Sequence, residues 1–237
     1  MALPIQSAPS YHTKVPSTGQ KISFRPFLVK EQKALLMAQQ SEDQKTMIST
    51  LKNMISSCVL EEIDVNNLAL FDLEYLFTQI RAKSVGEIVE LIFSCDDCTD
   101  EKAKAKVSID LTSIEVANSE NVEKKIHLFD DVGVMMKYPN FDMLEEVGKV
   151  DNNDINNIFK IIVKCIDYIY NNEEIYYSKE TSEEELLEFL NNLTQPQFEK
   201  IQEFFSKIPK MTSNVEYDCP ICSKHHSKQI QGITSFF

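Results

Sequence analysis

The sequence predicts an α+β protein: helical bundle segments, a small antiparallel sheet, and a zinc-ribbon-like element split between two distant parts of the chain. Three observations carry that reading. Apolar residues recur at helical spacing between residues 28 and 86 and again after residue 154. Between residues 104 and 138 they alternate with polar ones, the pattern of half-buried strands. Two Cys-x-x-Cys pairs, Cys95/Cys98 and Cys219/Cys222, each sit where an extended run turns back. With 43% hydrophobic and 26% charged residues over 237 positions, the chain can bury a core.

The elements follow in order. "YHTKVPSTGQKISFRPF" predicts a β-hairpin turning on Pro16-Ser17-Thr18-Gly19 and closed by Pro26. "LVKEQKALLMAQQ" predicts a first helix. "SEDQ", Ser41–Gln44, has the S-x-x-Q form of a capping box and marks the start of a second, striped by Met47, Ile48, Leu51, Met54 and Ile55. "FDLEYLFTQIRAKSVGE" predicts a third helix on Leu73, Leu76, Phe77 and Ile80. "EIVELIFSC" fits either helix or strand and leads into the first cysteine pair. "KAKVSIDL", "KKIHLF" and "VGVMMKYP" alternate through Val107/Ile109/Leu111, Ile126/Leu128 and Val132/Val134/Met136/Tyr138, and predict one small sheet with one buried face.

From Asp154 a 3.6-residue period runs through Ile155, Ile158, Phe159, Ile162, Val163, Ile166, Ile169 and Tyr170 and predicts a helix. "TSEEELLEFLNNL" carries a T-x-x-E cap, with Glu183–Glu185 in the first turn, where the helix dipole favours acids; they read as a solvated cap rather than a metal or partner site. "TQPQFEKIQEFFSKIP" has T-x-x-Q, a proline in its first turn and Pro209 as a stop. Its stripe of Phe198, Ile201, Phe204 and Phe205 reads as core, with an exposed groove-binding face as the alternative. The last stretch, "SNVEYDCPICSKHHSKQIQGITSFF", fits two strands hinged on the second cysteine pair. The predicted organisation is therefore a hairpin plus helices over 1–86, antiparallel strands with the first knuckle over 87–139, a helical section over 140–210, and C-terminal strands with the second knuckle over 211–237, packing on 87–139.

Charge and composition exclude several functions. The net charge is −13, and arginine occurs only at Arg25 and Arg81. That argues against a nucleic-acid reader and against binding to an anionic membrane, both of which need clustered cations. No apolar run approaches the length that crosses a bilayer. The start, "MALPIQSAPSYHTKVPS", lacks the basic and apolar regions of a secretory signal, so a cytoplasmic protein is expected. A P-loop, G-x-G-x-x-G, G-x-S-x-G and H-E-x-x-H are all missing, and with 5 glycines phosphate-cradling loops are not expected. His12, His127, His225 and His226 form no catalytic pattern. The expectation is that the protein is not an enzyme.

The cysteines carry the sharpest signal. Cys58 and Cys165 lie inside apolar helical patterns and read as packing. The other four follow Leu91-Ile92-Phe93 and Val215-Glu216-Tyr217, so each pair sits at the tip of a hairpin. Two such tips brought together would offer four thiolates to one structural zinc per chain, the arrangement of a zinc ribbon, with Cys95, Cys98, Cys219 and Cys222 as ligands. The 120 residues between Cys98 and Cys219 are unusual, because a ribbon ordinarily closes over a short loop. Two other readings stay open: zinc on Cys219 and Cys222 with His225 or His226, and thiols without metal, packed or oxidised. A redox pair is disfavoured, since that motif opens a helix after a strand in a βαβ unit. A catalytic zinc would need an open position and a base. The alternative function is a zinc-ribbon nucleic-acid-binding protein or transcription regulator, using Lys102, Lys104, Lys106, Lys224 and Lys228 around the knuckles as a local basic patch.

Three strings, "VPSTGQKISFRPFLVKEQKALLMA", "FDLEYLFTQIRAKSVGE" and "KIPKMTSNVEYDCPIC…IQGITSFF", resemble the baseplate hub (hub assembly) protein family of T-even-like contractile-tailed bacteriophages. The resemblance runs over most of the chain. It implies a non-enzymatic role in tail building, as a hub component or an assembly chaperone that binds hub proteins and the tape-measure protein. It also implies a place in the host cytoplasm during assembly, with the virion tail as a further location. Closed rings are common in tail hubs, so a homo-oligomer is open. No catalytic residues carry over from the family, and the paired cysteines rest on this sequence alone.

Overall fold

Stretches that alternate in the sequence do form strands, and among the described residues these sort into four separate antiparallel sheets. The structure is a computed structural model and describes residues 8–41, 43–98, 100, 102–117, 122–143 and 155–232, with only the backbone for Gln44 and Ile155. The chain divides into two compact units. One comprises residues 1–65, 71–117 and 210–237, the other 66–70 and 118–209. The class is α+β, as the sequence predicts.

In the first unit, β1 (Tyr11–Lys14) and β2 (Lys21–Phe24) pair as the predicted hairpin, with Gly19 at φ +69 in the turn. Val15, Ile22 and Phe24 are buried, and Phe24 bridges to Val59 just beyond the second helix. Helix α1 (Val29–Gln40) starts with Glu31 reaching back to accept the Leu28 N–H, while Arg25 donates to the same carboxylate at 2.9 Å. Burial alone would raise the Glu31 pKa, but the bonds from Arg25 and Leu28 outweigh it and hold the carboxyl below its usual value. This stabilisation is therefore present above the ordinary glutamate range and fades as pH falls through the lowered value.

Helix α2 (Gln44–Cys58) buries Met54, Ile55 and Cys58. Its cap differs from the expected Ser41–Gln44 box. Asp43 is the N-cap and accepts the Thr46 N–H, whereas Ser41 closes α1. An aspartate one turn before the stripe is the stronger acceptor, and the serine hydroxyl bonds back to Ala38 O instead. Helix α3 (Leu70–Val85) buries more than the predicted stripe, including Asp72 and Thr78. Asp72 accepts the Ser17 N–H from the hairpin turn at 2.8 Å, and the Thr78 hydroxyl meets Met211 Sδ at 3.4 Å.

After Gly86 (φ +150) turns the chain out of α3, the ambiguous "EIVELIFSC" is a strand. Strand β3 (Ile88–Ser94) pairs with β4 (Lys104–Asp110) in strict alternation, as a two-stranded ribbon. A second ribbon pairs β10 (Lys210–Asp218) with β11 (His225–Gln231), and β10 also pairs with β5 (Glu115–Ala117). Residues 233–237, the end of the expected C-terminal strand pair, lie outside the described residues. The inner faces of the ribbons share one core of Ile109, Met211, Val215, Tyr217 and Ile230, with Val89, Leu91, Phe93 and Val107 packed against it.

The second unit contains a four-stranded sheet, β6 (Lys125–Phe129), β7 (Val132–Met136), β8 (Ile166–Tyr170) and β9 (Ile175–Tyr177), with helices between β7 and β8 and after β9. The strands expected to make one sheet thus divide: β3 and β4 stand apart from β6 and β7, because β8 and β9 supply the latter pair with partners. The expected helix through Tyr170 is corrected here. Helix α4 (Ile155–Lys164) stops before Cys165, and Ile166, Ile169 and Tyr170 belong to β8; Asp154 lies outside the described residues. The register shifts where Met135 faces Tyr168 but Met136 faces Ile166. This bulge puts Ile166 and Ile169 both into the core, a spacing of three that imitates a helix.

Helix α5 (Glu183–Asn191) is capped by Ser182, which accepts the Glu185 N–H while Glu185 accepts the Ser182 N–H. The box is therefore S-x-x-E, one residue later than the T-x-x-E predicted at Thr181. Helix α6 (Gln195–Ser206) has the predicted start, with Gln197 accepting the Thr194 N–H at 2.8 Å. Its aromatic stripe is core: Ile201 and Phe204 are buried, Phe198 stacks on Phe159, and Tyr138 stacks on Phe204. No helix among the described residues is long and apolar enough to cross a membrane.

Two substitutions test this packing. Gly133 lies opposite Tyr170, and a Cβ there would collide with the Tyr170 ring and with Ile126 O. Gly133→Ala is expected to lower unfolding free energy by about 1–3 kcal/mol in denaturant titrations. Ser182→Ala is expected to lose about 1 kcal/mol, and Thr181→Ala, one residue away, markedly less.

Candidate metal centre

Each ribbon ends in a cysteine that extends its last rung. Cys95 directly follows β3, and its N–H donates to Ala103 O at 2.9 Å; Cys219 directly follows β10, and its N–H donates to Lys224 O at 2.9 Å. Beyond Cys219, Pro220 enters a turn closed by Ser223 N–H to Cys219 O, with Ser223 at φ +56. Inside that turn the Ile221 N–H points back at Cys219 Sγ, 3.4 Å away. Between the ribbons, the Phe93 and Tyr217 rings stack at 5.2 Å, and the Tyr217 hydroxyl donates to Ser94 O. These contacts fix one ribbon tip against the other.

The tips bring together all four cysteines singled out from the sequence. The sulfurs of Cys95, Cys98, Cys219 and Cys222 all lie within 4.8 Å of one another. The cross-ribbon pairs Cys95–Cys222 and Cys98–Cys219 are each 3.9 Å apart, too long for a bond, and all four thiols are free. Thiolates arranged tetrahedrally at a Zn–S distance of about 2.3 Å would stand about 3.8 Å apart. The four sulfurs therefore fit a metal ion, and filling all four vertices leaves none for a substrate.

The cluster is electrostatically uneven. The Cys222 and Ile221 N–H groups pull the Cys219 thiol down to about 7, while hydrogen bonding with Cys222 and desolvation push Cys98 up to about 12. Cys219 therefore ionises more readily than Cys98, and a divalent cation would enter by displacing the proton that Cys98 holds. Cys58 and Cys165, fully buried elsewhere, are pushed up to about 11 and about 12 by burial, which fits packing thiols and not ligands.

The histidines do not complete the second knuckle. His225 is exposed and pairs with Asp218 Oδ1 at 2.9 Å. His226 is buried, but its Nε2 lies 3.2 Å from Cys95 Sγ, on the opposite ribbon from Cys219 and Cys222. Cys95, Asp97 and His226 also have ligand atoms within 4.8 Å, but that group shares Cys95 with the thiol set, and Asp97 is paired with Lys224. Sequence reasoning missed the acidic residues of the first knuckle. Asp97 meets Lys224 at 2.7 Å and Asp96 meets Lys228 at 3.0 Å, so the ribbons are also joined by charge. The opposed strings "CDDC" and "SKHHSK" held that signal. Lys106, too, faces Glu90. Three of the five lysines considered as a nucleic-acid patch thus stand against carboxylates.

The family model described as T4 bacteriophage base plate protein matches residues 8–237. Neither the curated proteins nor the solved structures contain a match to the chain.

Alkylation separates the two kinds of cysteine. In metal-free folded protein at neutral pH, the exposed Cys222 is expected to react with a maleimide, while Cys58 and Cys165 stay unmodified. Adding zinc is expected to slow the reaction at Cys222 by at least about tenfold, read by mass spectrometry.

Proposed function

The chain belongs to the T4 bacteriophage base plate protein family, and from that premise we propose that it acts in assembly of the baseplate hub, without catalysis. As a base plate protein it is associated with the virion tail and works among other base plate proteins. The observation that carries the reading is the family match, which runs from residue 8 to residue 237. The finer role, hub component or assembly chaperone binding hub proteins and the tape-measure protein in the host cytoplasm, is supported by the resemblance of its ends and of Phe71–Gly86 to hub proteins.

Within this role the cysteine cluster holds one structural zinc. Four sulfurs at tetrahedral spacing favour zinc over hard cations, which take oxygen ligands. When bound, the ion would cross-link the ribbon tips through Cys95, Cys98, Cys219 and Cys222. A four-thiolate site offers no open position, which supports a structural and not a catalytic use. The carboxylates facing Lys106, Lys224 and Lys228 weigh against the nucleic-acid reading.

Two experiments test the two parts. Deleting the gene from the phage is expected to abolish normal tails, and tagged protein is expected to co-purify with hub and tape-measure proteins; normal tails from the deletion would overturn the assembly role. Elemental analysis is expected to give about one zinc per chain. Cys95→Ser and Cys222→Ser are each expected to lose at least about 3 kcal/mol, roughly 10 °C in Tm for a chain of this size. Metal-free protein melting unchanged would refute the structural zinc.

A further inference from the structure

The two knuckles supply hydrogen bonds to their sulfurs in different ways. The second is self-sufficient, because the Ile221 N–H within its own turn faces Cys219 Sγ. For the first, a hydrogen-bond partner comes from across the ribbons: His226 Nε2 stands 3.2 Å from the buried Cys95 Sγ. The imidazole is held in place on its face. It stacks on Tyr217, its cross-strand partner, at 5.0 Å and 16°, and Tyr217 in turn stacks on Phe93 and donates to Ser94 O. Phe93, Tyr217 and His226 thus form a three-ring stack that aims one nitrogen at one sulfur. Asp97, whose carboxylate also lies close to the histidine, is engaged by Lys224 Nζ at 2.7 Å.

Four thiolates carry more negative charge than one dication neutralises, and donors aimed at the sulfurs withdraw that excess and orient the ligands. We propose that His226 is a positioning residue of the metal centre: it donates its Nε2–H to the Cys95 thiolate and is not itself a ligand. The inference rests on the zinc reading above. It departs from the alternative reading of His226 as a ligand beside Cys219 and Cys222, since the histidine serves the distant cysteine pair and not its neighbours in the chain.

The test uses cobalt(II) as a spectroscopic probe, titrated into metal-free full-length wild type, His226→Phe and His226→Gln. Phe keeps a ring in the stack without the donor, and Gln restores an N–H. All three are expected to take up one cobalt with tetrahedral d–d bands. In His226→Phe the sulfur-to-cobalt charge-transfer band is expected to move to lower energy, and a chelator to remove the metal at about tenfold lower concentration. Gln is expected to recover part of both effects. Identical spectra and chelator sensitivity in wild type and His226→Phe would overturn the proposal and leave the zinc reading intact. Loss of tetrahedral cobalt in His226→Phe alone, with the variant still folded, would make His226 a ligand and likewise overturn it. Wild type that takes up no cobalt would fail the zinc reading itself and this inference with it. Nitrogen NMR of the zinc-loaded wild type is independent of any variant's folding: a proton on Nε2 supports the donor, and a bare Nε2 overturns it.

Discussion

The stacking of Phe93 on Tyr217 is the contact on which the first unit's geometry turns. The β3–β4 ribbon alone would be marginal, because two strands bury too little apolar surface to stand in water, and β5 adds only a short third strand beside β10. Packed face to face over Ile109, Met211, Val215 and Ile230, the two ribbons become a small two-layer core with a fixed relative register. The register sets where the tips fall, and the Tyr217 hydroxyl bonded to Ser94 O pins the last rung before Cys95. A slip of one residue in either ribbon would turn every inward side chain outward and carry the sulfurs apart. The metal centre is in this sense a readout of strand register.

Much of the architecture was legible because one physical signal dominated locally. Strict alternation in β4, turn chemistry at Pro16–Gly19 and the proline-led start of α6 each left one satisfactory solution for the backbone. The four cysteines were legible for another reason: their spacing encodes the turn that presents two sulfurs on one side, and the approaching strands are readable on their own. What was hidden is long-range. Nothing in "KAKVSIDL" tells which strand it will meet, and the division into separate sheets follows from partners that local patterning does not specify, such as β8 for β7.

The local misreadings share a cause, competition between near-equivalent signals. Thr181 and Ser182 both stand three residues before a glutamate, and the side chain that meets the helix N–H decides. Ile166 and Ile169 are three apart, as on a helix, because a bulge adds a residue to β8 and returns the strand to the same face. The role of His226 was invisible from sequence for a further reason. Its neighbours in the chain, Lys224, His225 and Cys222, suggested a ligand, whereas its environment is set by Tyr217 across the ladder and Cys95 on the other ribbon.

The pairing of β5 with β10 has one more consequence. Ala117 and Lys210 face each other on adjacent strands, so the chain leaves the first unit and re-enters it through the same rung. Besides the short departure at residues 66–70, the chain's long excursion from the first unit runs from residue 118 to residue 209, and its ends are held side by side. The entropy of closing such an excursion grows only with the logarithm of its length, by about 0.6 kcal/mol per doubling. The closure cost borne by the ribbons therefore depends little on how long the intervening segment is. A lineage could remodel that segment for a new neighbour while leaving the anchor that carries it unchanged.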